Sequence, residues 1–264
     1  MNVYLEELRS HRKSLMIWIL SLLFSLLLML FMYPAVMSEK DAYEKILQSL
    51  PPELLEAFSV NFDTLLSFNG FLGYIYGYLL IALGILSMNL GLSAIGKEVS
   101  GKTADFLMTK PLSRKRLLGE KSLAGLTMIL ITNAVIAATL WGMNLVLNAG
   151  EKKLSVMFLI ILAGLMIQLL FFTLGLFLGV TMRRVRMITS MSLSYVFSFF
   201  ILSMVAQVVK KDFLDYFTPF RYFDFNDIIL QEGFQGKFLL LALLLILMLA
   251  ASSFLILEKK EIHA

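Results

Sequence analysis

The feature that most constrains the fold of this chain is a series of apolar runs, each about 20 residues or longer and free of charged side chains. A helix needs about 20 such residues to cross about 30 Å of hydrocarbon, because each residue adds about 1.5 Å. The composition agrees, with a mean hydropathy of +0.82 and 16% charged residues, against about 25% in soluble domains. We therefore predict an all-α polytopic membrane protein with six transmembrane helices. The predicted spans cover approximately residues 15–36, 70–95, 122–147, 154–182, 187–209 and 238–257.

The amino-terminal residues 1–13 are polar, with a weak apolar stripe of Tyr4, Leu5 and Leu8. This pattern favours an amphipathic helix lying in the membrane interface, and a frayed tail is the alternative. The first apolar run is too long for the core of a signal peptide, and no clear cleavage site follows it. We therefore expect the first run to remain in the protein as a span.

The connections between the runs carry unequal charge. If both termini, residues 96–121 and the turn around Arg184 lie on one side, that side holds 15 of the 23 lysine and arginine residues, and the other side holds 12 of the 19 acidic residues. Basic residues concentrate in cytoplasmic connections. We therefore place both termini and residues 96–121 in the cytoplasm, with residues 38–69 and 210–236 as extracellular segments. The net charge of +4 follows from this orientation and gives no reason to propose a nucleic-acid partner.

The residue types absent from the spans argue against several functions. None of the six predicted spans contains Asp, Glu, Lys, Arg or His, whereas ion-coupled carriers retain ionisable groups at membrane depth. The chain has no cysteine and no HExxH motif, and His11 and His263 lie near the termini. A serine nucleophile in a span would have no base beside it. We therefore predict a non-catalytic protein with no metal site, whose transport work, if it transports anything, comes from a partner.

Polar and small residues recur at helical spacing inside the spans. Ser190, Ser194 and Ser198 share one face of the fifth span beside Tyr195, and Asn89 lies in the second span. These five residues are candidates for a substrate path or a subunit seam, and close helix packing is the alternative. Small residues four positions apart also predict close packing. Those pairs are Gly73 with Gly77, Ser87 with Gly91, and Gly175 with Gly179.

The charged segment between the second and third spans contains an apolar cluster. Ser100 and Gly101 end the preceding helix, and residues 103–109 favour a short helix that exposes Phe106, Leu107 and Met108. Such side chains in a basic cytoplasmic loop are expected to enter the lipid interface or to be covered by another protein. Pro111 ends the short helix, and Ser113 is suited to cap the next one.

This segment resembles the connection between spans two and three of the type-2 ABC transporter permeases, the ABC-2 family. That connection has the form E-x-x-[SG]-G-T-x-E/D-x-L-L-x-x-P-[VL]-S-R, followed by Gly-x-Lys. Lys102 and Glu120 depart from it. Residues 218–229, TPFRYFDFNDII, resemble the family's extracellular segment before the last span, and LEKKEIHA resembles its charged ending. The matching residues of the connection are Glu98, Ser100, Gly101, Thr103, Asp105, Phe106, Leu107, Pro111, Leu112, Ser113, Arg114, Gly119 and Lys121.

The resemblance implies a single transmembrane permease domain over residues 1–264 with no ATPase of its own, and the chain lacks a GxxxxGK[ST] phosphate loop. It also implies two cytoplasmic ABC ATPase subunits per complex, which use ATP and Mg, and a second permease that is either a copy or a homologue. The permease itself would bind no cofactor directly. Residues 103–109 would form a coupling helix that docks on the ATPase. The residues implied in coupling are Glu98, Gly101, Thr103, Asp105, Phe106, Leu107, Met108, Pro111 and Arg114.

Two hypotheses about function follow. In the first, the chain is the permease of an ATP-driven exporter in a bacterial plasma membrane, and it moves a peptide, a lipid or a drug-like molecule. In the second, it is an immunity or sensor membrane protein that binds an ATPase without vectorial transport. Cargo-stimulated ATPase activity would favour the first hypothesis. Both place the chain among membrane lipids, with the segment of residues 96–121 facing a partner.

Overall fold

The computed structural model describes residues 2–58, 62–65, 67–100, 113–146, 154–182 and 187–259. Every regular element within these residues is an α-helix. The helices are α1 (Val3–Phe31), α2 (Tyr33–Ser38), α3 (Lys40–Gln48), α4 (Pro52–Ala57), α5 (Phe62–Leu65), α6 (Phe68–Ser100), α7 (Arg114–Val146), α8 (Leu154–Thr181), α9 (Ile188–Val209), α10 (Asp212–Asp215), α11 (Pro219–Tyr222), α12 (Phe225–Gln231) and α13 (Gly236–Lys259).

Six helices in the described part of the chain are long and apolar enough to cross a membrane: α1, α6, α7, α8, α9 and α13. This confirms the predicted fold class, an all-α membrane protein with six spans. The helices alternate in direction. The start of α1 therefore lies at the same end of the bundle as the start of α7 and the end of α13, and we call this the amino-terminal end. The short helices α2–α5 and α10–α12 lie at the opposite end.

The first span differs from the predicted division into an interfacial helix and a separate span. The helix α1 runs without interruption from Val3 to Phe31, and the Asn2 side chain accepts a hydrogen bond from the Leu5 N–H at 3.3 Å as its cap. No glycine or proline lies between these ends, so no residue favours a break near Lys13. The helix ends three residues before Pro34, which has no N–H to donate to the Leu30 carbonyl and so interrupts the helical hydrogen-bond pattern. The interfacial location of the first residues remains a prediction.

The pair α6 and α8 forms the centre of the bundle. In the most apolar 18-residue stretch of α6, 83% of the residues are buried, compared with 11% in the corresponding stretch of α13. The two helices cross with their backbones in contact at Gly91 and Gly175. A Cβ atom on Gly91 would lie 2.2 Å from the Phe172 carbonyl oxygen, and one on Gly175 would lie 2.6 Å from the Met88 carbonyl oxygen. Only glycine allows so close an approach.

The other predicted small-residue pair has a different neighbour. Gly73 and Gly77 lie against the Phe225 ring of α12, a short helix at the opposite end, rather than against another long helix. The spacing therefore predicted close packing but not its partner. As a result, the connection before the last span is folded back onto the second span.

Candidate functional site

The predicted coupling residues run from the last turn of α6 to the first turn of α7. Glu98 belongs to the last turn of α6, and Arg114 is the first residue of α7. The remaining coupling residues fall outside the described part of the chain: Gly101, Thr103, Asp105, Phe106, Leu107, Met108 and Pro111. The docking contacts predicted from the sequence therefore stay predictions.

The first turns of α7, directly after this segment, are bound to the start of α1. The Val3 N–H donates to Glu120 Oε2 at 3.0 Å, and Glu120 Oε1 accepts from Arg116 Nε at 2.8 Å. Farther along both helices, the hydroxyl groups of Tyr4 and Thr127 are 3.2 Å apart. A carboxylate from α7 thus satisfies a backbone N–H that the first turn of α1 would otherwise leave unpaired.

A nearly buried ion pair reinforces this contact. Lys121 Nζ donates to Glu7 Oε2 at 3.3 Å, and the other Glu7 oxygen lies 3.1 Å from His11 Nε2. The Lys121 side chain is only 6% exposed and that of Glu7 is 16% exposed. A buried ammonium group is tolerated only with a partner, so Glu7 compensates a charge that solvent does not reach. We call the contacts of Val3, Tyr4 and Glu7 with Glu120, Lys121 and Thr127 the α1–α7 clamp.

A second link joins the same turns of α7 to the last span. Lys115 Nζ lies 2.9 Å from Glu258 Oε2 near the end of α13, with both side chains more than half exposed. The start of α7 is therefore connected to the first and the last spans. A displacement of α7 at this point has to move α1 and α13 with it or break these contacts.

Removing one partner of the clamp should destabilise the protein. Glu7→Gln removes the negative charge that pairs with the buried Lys121 ammonium group, and we expect a loss of about 2 kcal/mol in the free energy of unfolding. Lys115→Ala removes an exposed pair and should cost less than about 1 kcal/mol. Thermal unfolding in detergent measures both. A Glu7→Gln loss no larger than the Lys115→Ala loss would contradict the clamp.

The predicted serine face lies on the outside of the single chain. Ser190, Ser194 and Ser198 are exposed on α9, and the Ser194 hydroxyl donates to the Ser190 carbonyl at 2.9 Å. Tyr195 is half-buried and packs against the core. Asn89 is half-buried on α6, and no hydrogen bond among the described residues joins it to this face. The role of these five residues as a substrate path or a subunit seam remains a prediction.

At the opposite end, Arg221 organises the connection before the last span. Its guanidinium group binds Asp215 at 2.9 Å and also Asp224. Burial alone would lower the pKa of Arg221, but Asp224 and Asp215 raise it above its ordinary value. Asp227 accepts a hydrogen bond from Gln235 Nε2 at 2.8 Å. Burial raises the pKa of Asp227, and the nearby Asp224 adds to this, so the charged form of Asp227 is disfavoured in the fold.

These two carboxylates should respond differently to neutralisation. Because the folded state disfavours ionised Asp227, Asp227→Asn should leave stability unchanged or raise it near pH 7. This advantage should vanish as the pH falls below the ordinary pKa of aspartate, where wild-type Asp227 is also protonated. Asp224→Asn should instead cost about 1–2 kcal/mol, because Asp224 pairs with Arg221 and caps α12 through the Asn226 N–H. Thermal unfolding at pH 3 and pH 7 tests both, and a larger loss for Asp227→Asn at pH 7 would contradict this assignment.

Comparison with known proteins decides the family. The model of the family described as "ABC-2 family transporter protein" matches residues 1–262. The chain belongs to this family. A search of curated proteins and a search of solved structures give no match. The six apolar helices and the family together make the chain a multi-pass ABC transporter permease.

For this ABC-2 permease, the coupling segment stays a prediction from the sequence, and the α1–α7 clamp was not predicted. Two signals were present: Glu120, which departs from the family pattern, and the acidic Glu6 and Glu7 in an amino terminus whose other charges are basic. Among the described residues, no group of three or more histidine, aspartate or glutamate side chains is placed to hold a metal ion. Beside the predicted coupling segment, the described residues join α7 to α1 and α13 through ion pairs and hydrogen bonds.

Proposed function

We propose that this permease carries a peptide, a lipid or a drug-like molecule out of a bacterial cell, using ATP hydrolysed by separate cytoplasmic ATPase subunits. The observation that supports the proposal most is the family match over residues 1–262 on a chain with six candidate spans. The absence of charged residues from the predicted spans agrees with an external energy source. ATP and Mg would bind to the partner subunits.

The proposed working unit contains two permeases and two ATPases. ATP binding closes the ATPase pair, and the coupling helix of residues 103–109 receives that movement. The α1–α7 clamp and the link from Lys115 to Glu258 then pass it to the first and last spans. Because interfaces of this kind switch between discrete arrangements, a small shift at α7 can change which side of the membrane the permease pair opens to. Whether the second permease is a copy or a homologue does not alter this role.

The proposed location is the bacterial plasma membrane with both termini in the cytoplasm. The chain contains no cysteine, so single-cysteine variants can be labelled without background. In intact cells, a membrane-impermeant maleimide should label Asn61→Cys and should not label Thr103→Cys. Permeabilised cells should label both. Labelling of Thr103→Cys from outside, with Asn61→Cys protected, would reverse the orientation.

Transport itself is tested by reconstituting the permease with its ATPase into vesicles. We expect ATPase activity to rise when cargo is added and to accompany movement of that cargo across the vesicle membrane. The matched control is an ATPase variant that binds ATP without hydrolysing it. Stable binding of the ATPase with no cargo movement, across a broad panel of peptides, lipids and drugs, would instead favour the immunity or sensor role.

A further inference from the structure

A cavity of about 90 Å³ opens at the end of the bundle opposite the amino terminus. It lies between the first half of α6, the last half of α9 and the short helices on either side. Its lining includes polar side chains from both long helices and from the short ones, together with several aromatic rings. The lining residues that carry the argument are Tyr74, Tyr78, Phe200, Ser203, Phe220 and Asp224.

Ser203 presents an unused hydroxyl group to this cavity. Ser203 is 4% exposed, and its side chain makes no hydrogen bond within the described part of the structure. A buried helical serine ordinarily donates to the carbonyl four residues earlier, as Ser253 does to Leu249 at 2.7 Å. Here that carbonyl belongs to Phe199 and already accepts the Thr218 hydroxyl at 2.8 Å in addition to its helical bond. The Ser203 hydroxyl is thereby left for a ligand.

The two tyrosines supply a second donor. The hydroxyl oxygens of Tyr74 and Tyr78 are 3.3 Å apart, in a hydrogen bond that uses one of their two hydrogens. The other hydrogen has no acceptor among the described residues. Rings of Phe200 and Phe220, with centroids 5.8 Å apart, form the apolar wall beside these hydroxyls. The cavity therefore offers two hydrogen-bond donors next to an aromatic surface.

The described lining residues offer no free charge to a ligand. Asp224 is the one residue among them that is charged at neutral pH, and both of its oxygens are engaged. One oxygen accepts from the Asn226 N–H at 2.9 Å, and the other pairs with Arg221. A charged ligand would lose its hydration here without gaining an opposite charge. An uncharged ligand with an acceptor group would satisfy both waiting donors.

We infer that this cavity binds an uncharged amphiphile that carries a hydrogen-bond acceptor, such as a carbonyl group, beside an apolar body. The acceptor group accepts hydrogen bonds from the hydroxyls of Ser203 and of the tyrosine pair, and the apolar body packs against the phenylalanine rings. The same chemistry could come from the ester carbonyl of a membrane lipid or from a soluble amphiphile. The inference concerns the permease alone and does not require its ATPase.

A cysteine reporter tests the cavity with Ser203 intact. Met204→Cys places a thiol in the lining of the purified full chain, and Ser49→Cys, on an exposed turn, is the control. Relative to Ser49→Cys, the thiol at 204 should prefer uncharged benzyl methanethiosulfonate over its cationic and anionic counterparts by about tenfold or more, because charged reagents must be desolvated to enter. The same preference for the uncharged reagent over the charged reagents at positions 204 and 49 would overturn the inference.

Protection by probes tests the two donors. N-hexylbenzamide should slow modification of the thiol at 204, whereas hexylbenzene, which lacks an acceptor, and the hexyltrimethylammonium cation should not. Adding Ser203→Ala, or Tyr74→Phe together with Tyr78→Phe, should raise the N-hexylbenzamide concentration needed for half-protection by about threefold to tenfold, the usual effect of losing one hydrogen bond. Both tyrosines are changed because Tyr78 donates to Tyr74, so removing one hydroxyl alone frees the hydrogen of the other. Equal protection by hexylbenzene, or no effect of either change, would show an apolar crevice and refute the site. Both substituted proteins must unfold within a few degrees of the reporter protein, and the tyrosine result decides if Ser203→Ala fails to fold.

Reconstitution identifies the source of the ligand. If phosphatidylcholine nanodiscs protect the thiol at 204 without any added probe, relative to detergent micelles, the lipid ester is the occupant. If they do not, while N-hexylbenzamide does, the site takes a soluble amphiphile. Either result supports the inference, and absence of protection under every condition contradicts it.

Discussion

Replacing Gly91 by alanine is expected to disrupt the folded permease, with a loss of about 3 kcal/mol or more in the free energy of unfolding. The added Cβ atom would lie 2.2 Å from the backbone carbonyl oxygen of Phe172 and 2.8 Å from the Leu176 nitrogen. Backbone atoms inside two packed helices cannot turn away as a side chain can. The helices α6 and α8 must therefore separate along the most buried contact of the bundle.

Gly142 provides the matched control for this substitution. It also lies in a long helix, α7, but a Cβ atom there would meet no atom within 4 Å. Gly142→Ala should therefore be neutral or stabilising by up to about 1 kcal/mol, because alanine favours helix over glycine. Size-exclusion chromatography and thermal unfolding in detergent measure both variants. Similar unfolding temperatures for the two would show that α6 and α8 do not pack as described.

Replacing Phe106 by aspartate is expected to abolish binding of the ATPase while leaving membrane insertion intact. Phe106 lies in the predicted coupling helix, outside the described residues, where the family resemblance makes it an anchor in an apolar socket of the partner. A carboxylate forced into such a socket costs several kcal/mol, which lowers affinity by about a thousandfold or more. Co-precipitation of the ATPase from mild detergent measures the loss.

The control for Phe106→Asp makes the same change at the opposite end of the molecule. Phe213 is 57% exposed in the connection before the last span. Phe213→Asp should leave ATPase binding unchanged, because on the proposed orientation this residue faces away from the cytoplasm. Equal loss of the ATPase in both variants would point to general destabilisation. Full binding by Phe106→Asp would remove Phe106 as an anchor.

The spans were the predictable part of this fold, because membrane crossing is a local property of about 20 consecutive residues. The predicted fourth span, residues 154–182, and the observed helix Leu154–Thr181 differ by one residue. The amino terminus was less predictable. Its charges suggested a separate interfacial helix, but nothing in the local sequence interrupts α1 before Phe31. Helix continuity here follows from the absence of a breaking residue, which hydropathy does not register.

The contacts around the candidate site were not predictable, since they join residues distant in sequence. Val3 binds Glu120 across 117 positions, and Thr64 binds Asn226 across 162. A single sequence shows that Glu7 and Lys121 are charged, but not that they form a nearly buried ion pair with each other. The same limit applies to the cavity. The spare hydroxyl of Ser203 depends on Thr218, which reaches the Phe199 carbonyl only after the last connection has folded back.

The most direct test of the central claim, that this permease works through a separate ATPase, is to purify it from its native host in mild detergent. Mass spectrometry then identifies and quantifies every protein that remains bound. We expect an ATP-binding subunit in an amount about equal to that of the permease, and its loss in the Phe106→Asp variant. Recovery of the chain alone, after chemical crosslinking has also trapped no ATPase, would show that the permease does not work through a separate ATPase.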